Sequence, residues 1–257
     1  DPRIKGAILG DSLTEGSPEL NAAHHFAATN VDEEWILFLY TFNDMMSWMR
    51  TPSPFFMDWV LSRTEPSDLD NFRYVHSLLQ YLQWQQGGRR NRKWLMKGTG
   101  YLPYIEEITR VFPKATLMHI HRHPHASIPS EAKIMMGVRA LREQNLEPKL
   151  YGDPLLRYEK FMVDRYMSAR DRLQLDNRIL DVSYDQIREN PMPIFKELYR
   201  RAGHVLTPES EQAMLQWEKD NEQGKHGRHT YALEEFGLNE QKIGDAMGEY
   251  IRRFIDR

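Results

Sequence analysis

Two basic residues of this chain each follow a short apolar run, and a serine lies shortly after the second of them. Lys97 comes directly after a run that ends at Met96, and Arg122 closes a second run at 116–121. Ser130 lies eight residues beyond Arg122, about two helical turns, so both side chains can face one anion. Such groups at the carboxyl ends of neighbouring parallel strands suit a phosphorylated ligand. The alternative is a surface arginine, a serine near a helix start and a solvated lysine, and spacing alone does not decide between them.

Short apolar runs and helical patterns alternate along the chain, and they predict the strands and helices that position these residues. Strands are predicted near 94–97, 116–121 and 178–183, with helical patterns rather than hairpin turns between them. This order favours parallel strands with crossover helices, so we expect an α/β fold with a central parallel sheet flanked by helices on both faces. Helices are predicted within 43–93, at 102–111, after Asn190-Pro191, after Thr207-Pro208 and at 243–254.

The composition excludes several classes of protein. A length of 257 residues fits one large α/β domain. The net charge of -3, from 34 basic and 37 acidic residues, argues against nucleic acid or an anionic membrane surface as the main partner. The chain has no cysteine, which excludes disulfides and a thiolate nucleophile and is compatible with a cytoplasmic location. The longest apolar run, 35–40, is too short for a membrane span. Because the chain begins at Asp1 without an initiator methionine, we expect the protein to start further upstream.

Three ordered motifs resemble one enzyme family. The first is W-L-M-K at 94–97, followed by F-P-K-A-T-L-M-H-I-H-R-H-P at 112–124 and by Ser130. The second is V-S-Y-D-Q-I-R-E-N-P, which begins at 182, and the third is G-R-H-T-Y-A-L-E-E-F-G-L at 227–238. Together they resemble the sulfotransferases that use 3'-phosphoadenosine 5'-phosphosulfate, and the bacterial branch most closely. The resemblance implies transfer of a sulfuryl group to a hydroxyl or amine of a small-molecule, lipid or carbohydrate acceptor.

The resemblance also implies an architecture. A single domain over 1–257 would have a P-loop-like three-layer fold, with 19–90 forming a largely helical acceptor-side or lid region. The family's first strand and its glycine-rich phosphate loop have no counterpart in this sequence, and their place would be before Asp1. We therefore expect that loop to lie upstream of the chain.

The same resemblance assigns roles around the nucleotide. Arg122 and Ser130 match the pair that holds the 3'-phosphate, and Tyr184 matches the tyrosine beside the adenine. Lys97 matches a lysine near the sulfuryl group, where a fixed cation would stabilise charge on the departing phosphate oxygen. The segment where the family closes over the nucleotide contains Lys225, Arg228 and His229.

The general base cannot simply be transferred from the family. Tyr101 stands where the family pattern has a histidine, so its expected role is only to orient the acceptor. His24 or His25 is the predicted base, because an imidazole titrates near neutral pH. The alternative is that this pair caps or packs beside a helix. Glu33 and Glu34 are further candidates, although acidic residues in a first helical turn usually complement the helix dipole.

Three alternative functions compete with sulfuryl transfer. The alternating histidines within 119–125 place His119 and His121 on one strand face, as a zinc pair would require, but Arg122 and Pro124 interrupt the run and no metal is expected. The G-D-S-L motif at 10–13 resembles the nucleophile block of GDSL esterases, yet no D-x-x-H follows to activate the serine. The third alternative is a degenerate sulfotransferase-like domain that binds nucleotide or a partner without catalysis.

Overall fold

The described residues form helices and a small parallel sheet. The structure is a computed structural model and describes residues 5–6, 33–41, 43, 48, 53–63, 65–88, 92–141, 143–221 and 231–256. Within these residues the elements are α1 Pro54–Leu61, α2 Glu65–Gln85, α3 Ile105–Val111, β1 Leu117–His121, α4 Pro124–Ala140, α5 Gly152–Arg172, β2 Ile179–Ser183, α6 Tyr184–Glu189, α7 Pro191–Arg201, α8 Pro208–Asp220 and α9 Glu240–Phe254. Short 3-10 helices cover Glu34–Thr41, Thr99–Tyr104, Pro148–Leu150 and Leu233–Phe236. No helix of the described part combines the length and the apolar character needed to cross a membrane.

The two strands are parallel and end at the same level. Leu117 pairs with Ile179 and His121 pairs with Ser183, with the residues between them in continuous register. The chain that joins them passes through α4 and α5, which is the crossover connection that parallel strands require. The predicted parallel pair at 116–121 and 178–183 is therefore confirmed.

The prediction of a strand near 94–97 is wrong. The structure leaves 92–98 without a ladder to any described residue, and Trp94 and Leu95 are 46% and 85% exposed. Strand structure needs a neighbouring strand that pairs its backbone N–H and C=O groups, and no described residue pairs with this segment. Lys97 consequently lies in a segment without regular secondary structure rather than at the end of a sheet strand.

Helix starts follow the local capping chemistry. Asn190 precedes Pro191 at the start of α7, and the Thr207 hydroxyl accepts a hydrogen bond from the Ser210 N–H in front of α8. Both predicted starts are confirmed. The C-terminal helix α9 buries one apolar stripe, as its periodicity predicts; the buried members are Ile243, Met247, Tyr250 and Phe254.

The chain divides into two compact units. The sheet unit contains the described residues of 1–30, 116–157 and 177–257, and the helical unit contains those of 31–115 and 158–176. In the helical unit, α1 and α2 confirm the predicted helical character of 43–93 for the residues described. Its core includes the Phe72 ring, whose centroid lies 5.0 Å from Phe38 and 5.2 Å from Tyr104.

Candidate functional site

In the sheet unit, Arg122 is the first residue after β1 and lies beside the end of β2. Because His121 and Ser183 are in register, the residues that follow them, Arg122 and Tyr184, leave the sheet at the same edge. The guanidinium carbon of Arg122 lies 4.6 Å from the centroid of the Tyr184 ring, a cation–π distance. Arg122 Nη2 also donates a hydrogen bond to the Tyr231 hydroxyl at 2.8 Å. The structure thus brings together two of the predicted nucleotide residues and adds Tyr231.

Ser130 lies in the second turn of α4, the helix that begins at Pro124 just after Arg122. Its side chain is half-buried. The predicted order of strand, arginine and helix with serine is therefore confirmed, while the joint binding of one phosphate by Arg122 and Ser130 stays a prediction.

A second cation lies near the Tyr184 ring. The guanidinium carbon of Arg188, one turn further along α6, is 5.7 Å from the ring centroid. Arg188 is exposed, whereas Arg122 and Tyr184 are half-buried. The edge of the sheet where β1 and β2 end therefore carries two guanidinium groups around one tyrosine ring, an arrangement suited to an anion that also has a flat aromatic part.

In the helical unit, Lys97 and Tyr101 contact Glu33 and Glu34, the acidic pair at the start of the 3-10 helix Glu34–Thr41. The Lys97 ammonium contacts the Glu33 carboxylate, and the Lys97 backbone N–H donates to Glu34 Oε2 at 3.3 Å. The Tyr101 hydroxyl donates to Glu34 Oε1 at 2.7 Å. Burial, and then the Glu34 charge, raise the pKa of Tyr101 far above its ordinary value. Tyr101 therefore stays a protonated hydrogen-bond donor and cannot serve as the general base.

Five predicted site residues lie outside the described residues. They are His24, His25, Lys225, Arg228 and His229. Their roles as base and as nucleotide ligands stay predictions.

The histidine run forms a buried polar network. His119 and His121 share one face of β1, with ring centroids 3.9 Å apart, and the donor atoms of both lie within 4.8 Å of Asp181 on β2. The Nε2 atom of His121 lies 2.9 Å from Asp181 Oδ1, and its Nδ1 lies 2.9 Å from the hydroxyl of Tyr250. Both ring nitrogens of His121 are thus engaged by protein groups. The network links β1, β2 and α9, so we interpret it as structural.

The other two histidines lie at the start of α4, where the His123 side chain caps the helix. The His125 backbone N–H donates to His123 Nδ1 at 3.2 Å, which satisfies one of the N–H groups at the helix start. Burial, and then the neighbouring His125, lower the pKa of His123, which keeps the imidazole neutral and its nitrogen able to accept. The four histidines therefore fall into two groups, one at the start of α4 and one on β1, where His119, His121 and Asp181 bring three possible metal-ligand atoms within 4.8 Å of one another; that no metal binds there stays a prediction.

Sequence reasoning missed Tyr231 and Arg188 as members of the site. Tyr231 stands in the third family motif, G-R-H-T-Y-A-L-E-E-F-G-L, which carried no assignment for the tyrosine. Arg188 lies four residues after Tyr184, a helical spacing that places the two side chains on one face of α6. That spacing could have indicated Arg188 from the sequence. The contact between Arg122 and Tyr231 joins residues 109 positions apart, so no local pattern could have indicated Tyr231.

The chain is similar to known proteins in both sequence and structure. Residues 8–208 match the sequence profile of the Sulfotransferase family. The structure is similar to the crystal structure of sulfotransferase STF9 from Mycobacterium avium, with a TM-score of 0.78, 23% identity, and coverage of 99% of this chain and 64% of that one. It is also similar to sulfotransferase STF1 from Mycobacterium tuberculosis H37Rv, with a TM-score of 0.71, 18% identity, and coverage of 96% and 64%. The chain thus spans 64% of the length of each of these structures. No curated protein sequence matches. The similarity confirms the predicted α/β fold with a parallel sheet.

Proposed function

Because the chain belongs to the sulfotransferase family, we propose that it transfers a sulfuryl group from 3'-phosphoadenosine 5'-phosphosulfate to an acceptor. The proposed acceptor group is a hydroxyl or an amine on a small molecule, lipid or carbohydrate. The observation that carries the proposal is the placement of Arg122 at the shared carboxyl ends of β1 and β2, where it contacts Tyr184 and Tyr231. A guanidinium beside a tyrosine ring can bind a phosphate and an adenine of the same nucleotide.

The nucleotide contacts follow from this placement. Arg122 and Ser130 would hold the 3'-phosphate, and the Tyr184 ring would lie beside the adenine. Arg122 presents several N–H donors in a planar fork, which matches two phosphate oxygens at once. Lys225, Arg228 and His229, in the basic segment 224–229, are also proposed to bind the nucleotide.

The proposed chemistry is an in-line displacement at sulfur. The acceptor oxygen or nitrogen attacks the sulfur, the bond from sulfur to the 5'-phosphate oxygen breaks, and 3'-phosphoadenosine 5'-phosphate leaves. The acceptor proton passes to a general base. Lys97 is the proposed cation that stabilises the negative charge on the departing phosphate oxygen. Its side chain is 74% exposed, so the ammonium is accessible to a ligand even while it contacts Glu33.

His24 or His25 remains the proposed general base, and Glu33 is the alternative. The contact between Glu33 and Lys97 supports the alternative, because it places a carboxylate beside the proposed catalytic cation. Glu34 is less suited to the task, since its carboxylate already accepts from Tyr101 and from a backbone N–H. Tyr101 would then orient Glu34 and only indirectly the acceptor. The helical region 19–90 is proposed to form the acceptor side of the site.

Nucleotide binding is tested by calorimetric titration of 3'-phosphoadenosine 5'-phosphate and of adenosine 5'-phosphate. Arg122→Ala should lower the affinity for 3'-phosphoadenosine 5'-phosphate by roughly 10- to 100-fold, because a charge-assisted phosphate contact contributes about 1.5–3 kcal/mol. The affinity for adenosine 5'-phosphate should fall far less, since this nucleotide lacks the 3'-phosphate. Arg200→Ala is the matched control, because Arg200 is 72% exposed and pairs with Glu197 on α7. Equal binding of both nucleotides, with equal losses in Arg122→Ala, would contradict a dedicated 3'-phosphate site.

Catalysis is tested with a labelled donor against pools of phenols, lipids and carbohydrates. On an acceptor that turns over, Lys97→Ala should lower kcat by roughly 100- to 1000-fold, as the loss of one preorganised transition-state contact does. Lys114→Ala, at an exposed lysine of the same unit, should leave kcat unchanged. Full activity of Lys97→Ala would remove Lys97 from the mechanism. Tight nucleotide binding without turnover of any acceptor would favour the non-catalytic module.

The base is identified by a set of three variants. His24→Ala, His25→Ala and Glu33→Gln are compared on the same acceptor, and the variant that removes the base should lose roughly 100- to 10,000-fold in kcat. The pH profile of that variant should also lose its acidic limb, because the group that must be deprotonated is gone. If all three variants keep full activity, the base lies elsewhere in the protein.

A further inference from the structure

The described partners of the Arg122 guanidinium are uncharged. Its central carbon lies 4.6 Å from the centroid of the Tyr184 ring, and its Nη2 donates to the Tyr231 hydroxyl. No carboxylate among the described residues forms an ion pair with Arg122. By contrast, Arg165 pairs with Asp68 at 2.8 Å, and Arg170 pairs with an aspartate on the turn after α5. Arg122 is therefore half-buried, and no acid among the described residues pairs with its positive charge.

The two tyrosines constrain the guanidinium in different ways. Contact with the Tyr184 ring holds the guanidinium near the ring, but a cation–π contact does not define how the guanidinium is rotated. The hydrogen bond to Tyr231 defines the rotation, because it requires one particular N–H to point at the hydroxyl. Both constraints together leave the remaining N–H donors in one orientation. A carboxylate in place of Tyr231 would fix the same rotation but would also neutralise the charge that an anionic ligand needs.

We propose that Tyr231 is a positioning residue for the anion site, and that its hydroxyl orients Arg122 for the 3'-phosphate of the nucleotide. The proposal rests on the proposed function and adds a residue to it. Its physical basis is preorganisation, since a ligand that binds an already ordered side chain does not have to order it. Tyr231 is expected to act through Arg122, so its effect should appear only with ligands that Arg122 contacts.

The test compares Tyr231→Phe with the wild-type protein in titrations of 3'-phosphoadenosine 5'-phosphate and adenosine 5'-phosphate. Phenylalanine keeps the ring and removes only the hydroxyl. The affinity for the first nucleotide should fall by about 2- to 10-fold, the cost of ordering one long side chain on binding. The affinity for the second should be unchanged. Tyr199→Phe is the matched control, because it removes a tyrosine hydroxyl on α7 of the same unit. It should leave both affinities unchanged.

A second measurement reports the orientation of Arg122 directly. In nitrogen-15 spectra of the guanidinium groups, Arg122 should show distinct Nη resonances in the wild-type protein and averaged ones in Tyr231→Phe. Arg122→Ala identifies the signals. This readout does not depend on turnover or on the identity of the acceptor.

The outcomes separate the two proposals. If Arg122→Ala loses selectivity for the 3'-phosphate and Tyr231→Phe does not, the role of Tyr231 is wrong and the nucleotide site stands. If Tyr231→Phe lowers the affinity for both nucleotides equally, the Tyr231 hydroxyl is structural and the positioning role is again wrong. If Arg122→Ala leaves the binding of both nucleotides unchanged, the proposed nucleotide site itself fails.

Discussion

Replacing Arg165 by methionine should destabilise the protein by about 3 kcal/mol, because it breaks a buried ion network in the helical unit. Arg165 on α5 lies 2.8 Å from Asp68 on α2 and 2.5 Å from Glu107 on α3, and both carboxylates are almost wholly buried. Removing one partner of a buried pair costs about 3–5 kcal/mol, because the remaining charge is left uncompensated. The lower end of this range is expected, since Asp68 keeps its contact with Arg63 and Arg165 itself is 19% exposed.

The control is Arg73→Met, which removes an arginine from the exposed pair with Asp70 on the same helix as Asp68. The side chains of that pair are 63% and 75% exposed, so its loss should cost about 0–1 kcal/mol. Methionine and arginine have similar helix propensities, so each change reports mainly on the ion pair. The free energy of unfolding is measured by urea denaturation followed by circular dichroism.

The loss of unfolding free energy in Arg165→Met should also depend on pH. Burial raises the pKa of Glu107 above its ordinary value, and the Arg165 charge opposes that rise. Without Arg165 the folded-state pKa rises further, so the folded protein binds more protons than the unfolded chain between the two pKa values. Stability of the variant then falls as pH rises through this window, and the deficit should be larger at about pH 8 than at about pH 5. Adding Glu107→Gln to the variant should recover much of the loss. A deficit below about 1 kcal/mol, or one equal at both pH values, would refute this reasoning.

Three further substitutions in the sheet unit have predicted effects on stability. Gly152→Ala should destabilise the protein by about 1–3 kcal/mol, because the added Cβ would lie 2.1 Å from the Phe236 carbonyl oxygen. Gly244→Ala, in an open position of α9, should instead stabilise it by about 0.5–1 kcal/mol; thermal melts of both variants check the pair, and equal shifts would contradict the argument. Tyr250→Phe should cost about 1–3 kcal/mol, because it removes the hydroxyl that contacts the buried His121 ring. Urea denaturation measures that loss, and an unchanged midpoint would show that the contact does not stabilise the fold.

Features that depend on neighbouring residues could be predicted from the sequence. The starts of α7 and α8 were readable because a capping residue and a proline act on the backbone next to them. The apolar stripe of α9 was readable from its helical period. The run before Arg122 was long enough to indicate a strand, and so the position of Arg122 at a strand end was predictable. The roles of the nucleotide residues came from the resemblance and not from spacing.

Features that depend on strand pairing could not be predicted. The segment 94–96 and the strand Leu117–His121 have similar apolar patterns, but only the second one finds a partner in the described chain. The pattern of a strand indicates that a residue can be extended and does not show whether another strand lies beside it. Pairing decides that question, and it is a property of two distant segments.

The site shows the same division between local and distant information. The sequence alone determined that Arg122 follows a strand and that a helix with Ser130 comes next, because these are neighbours along the chain. Only the tertiary structure decided that the Arg122 charge is held by two tyrosine groups, one from the residue after β2 and one from Tyr231. Strand register brings Tyr184 to that edge, and packing of the chain beyond α8 brings Tyr231. Neither contact leaves a local pattern, because each depends on which distant segments the whole fold places side by side.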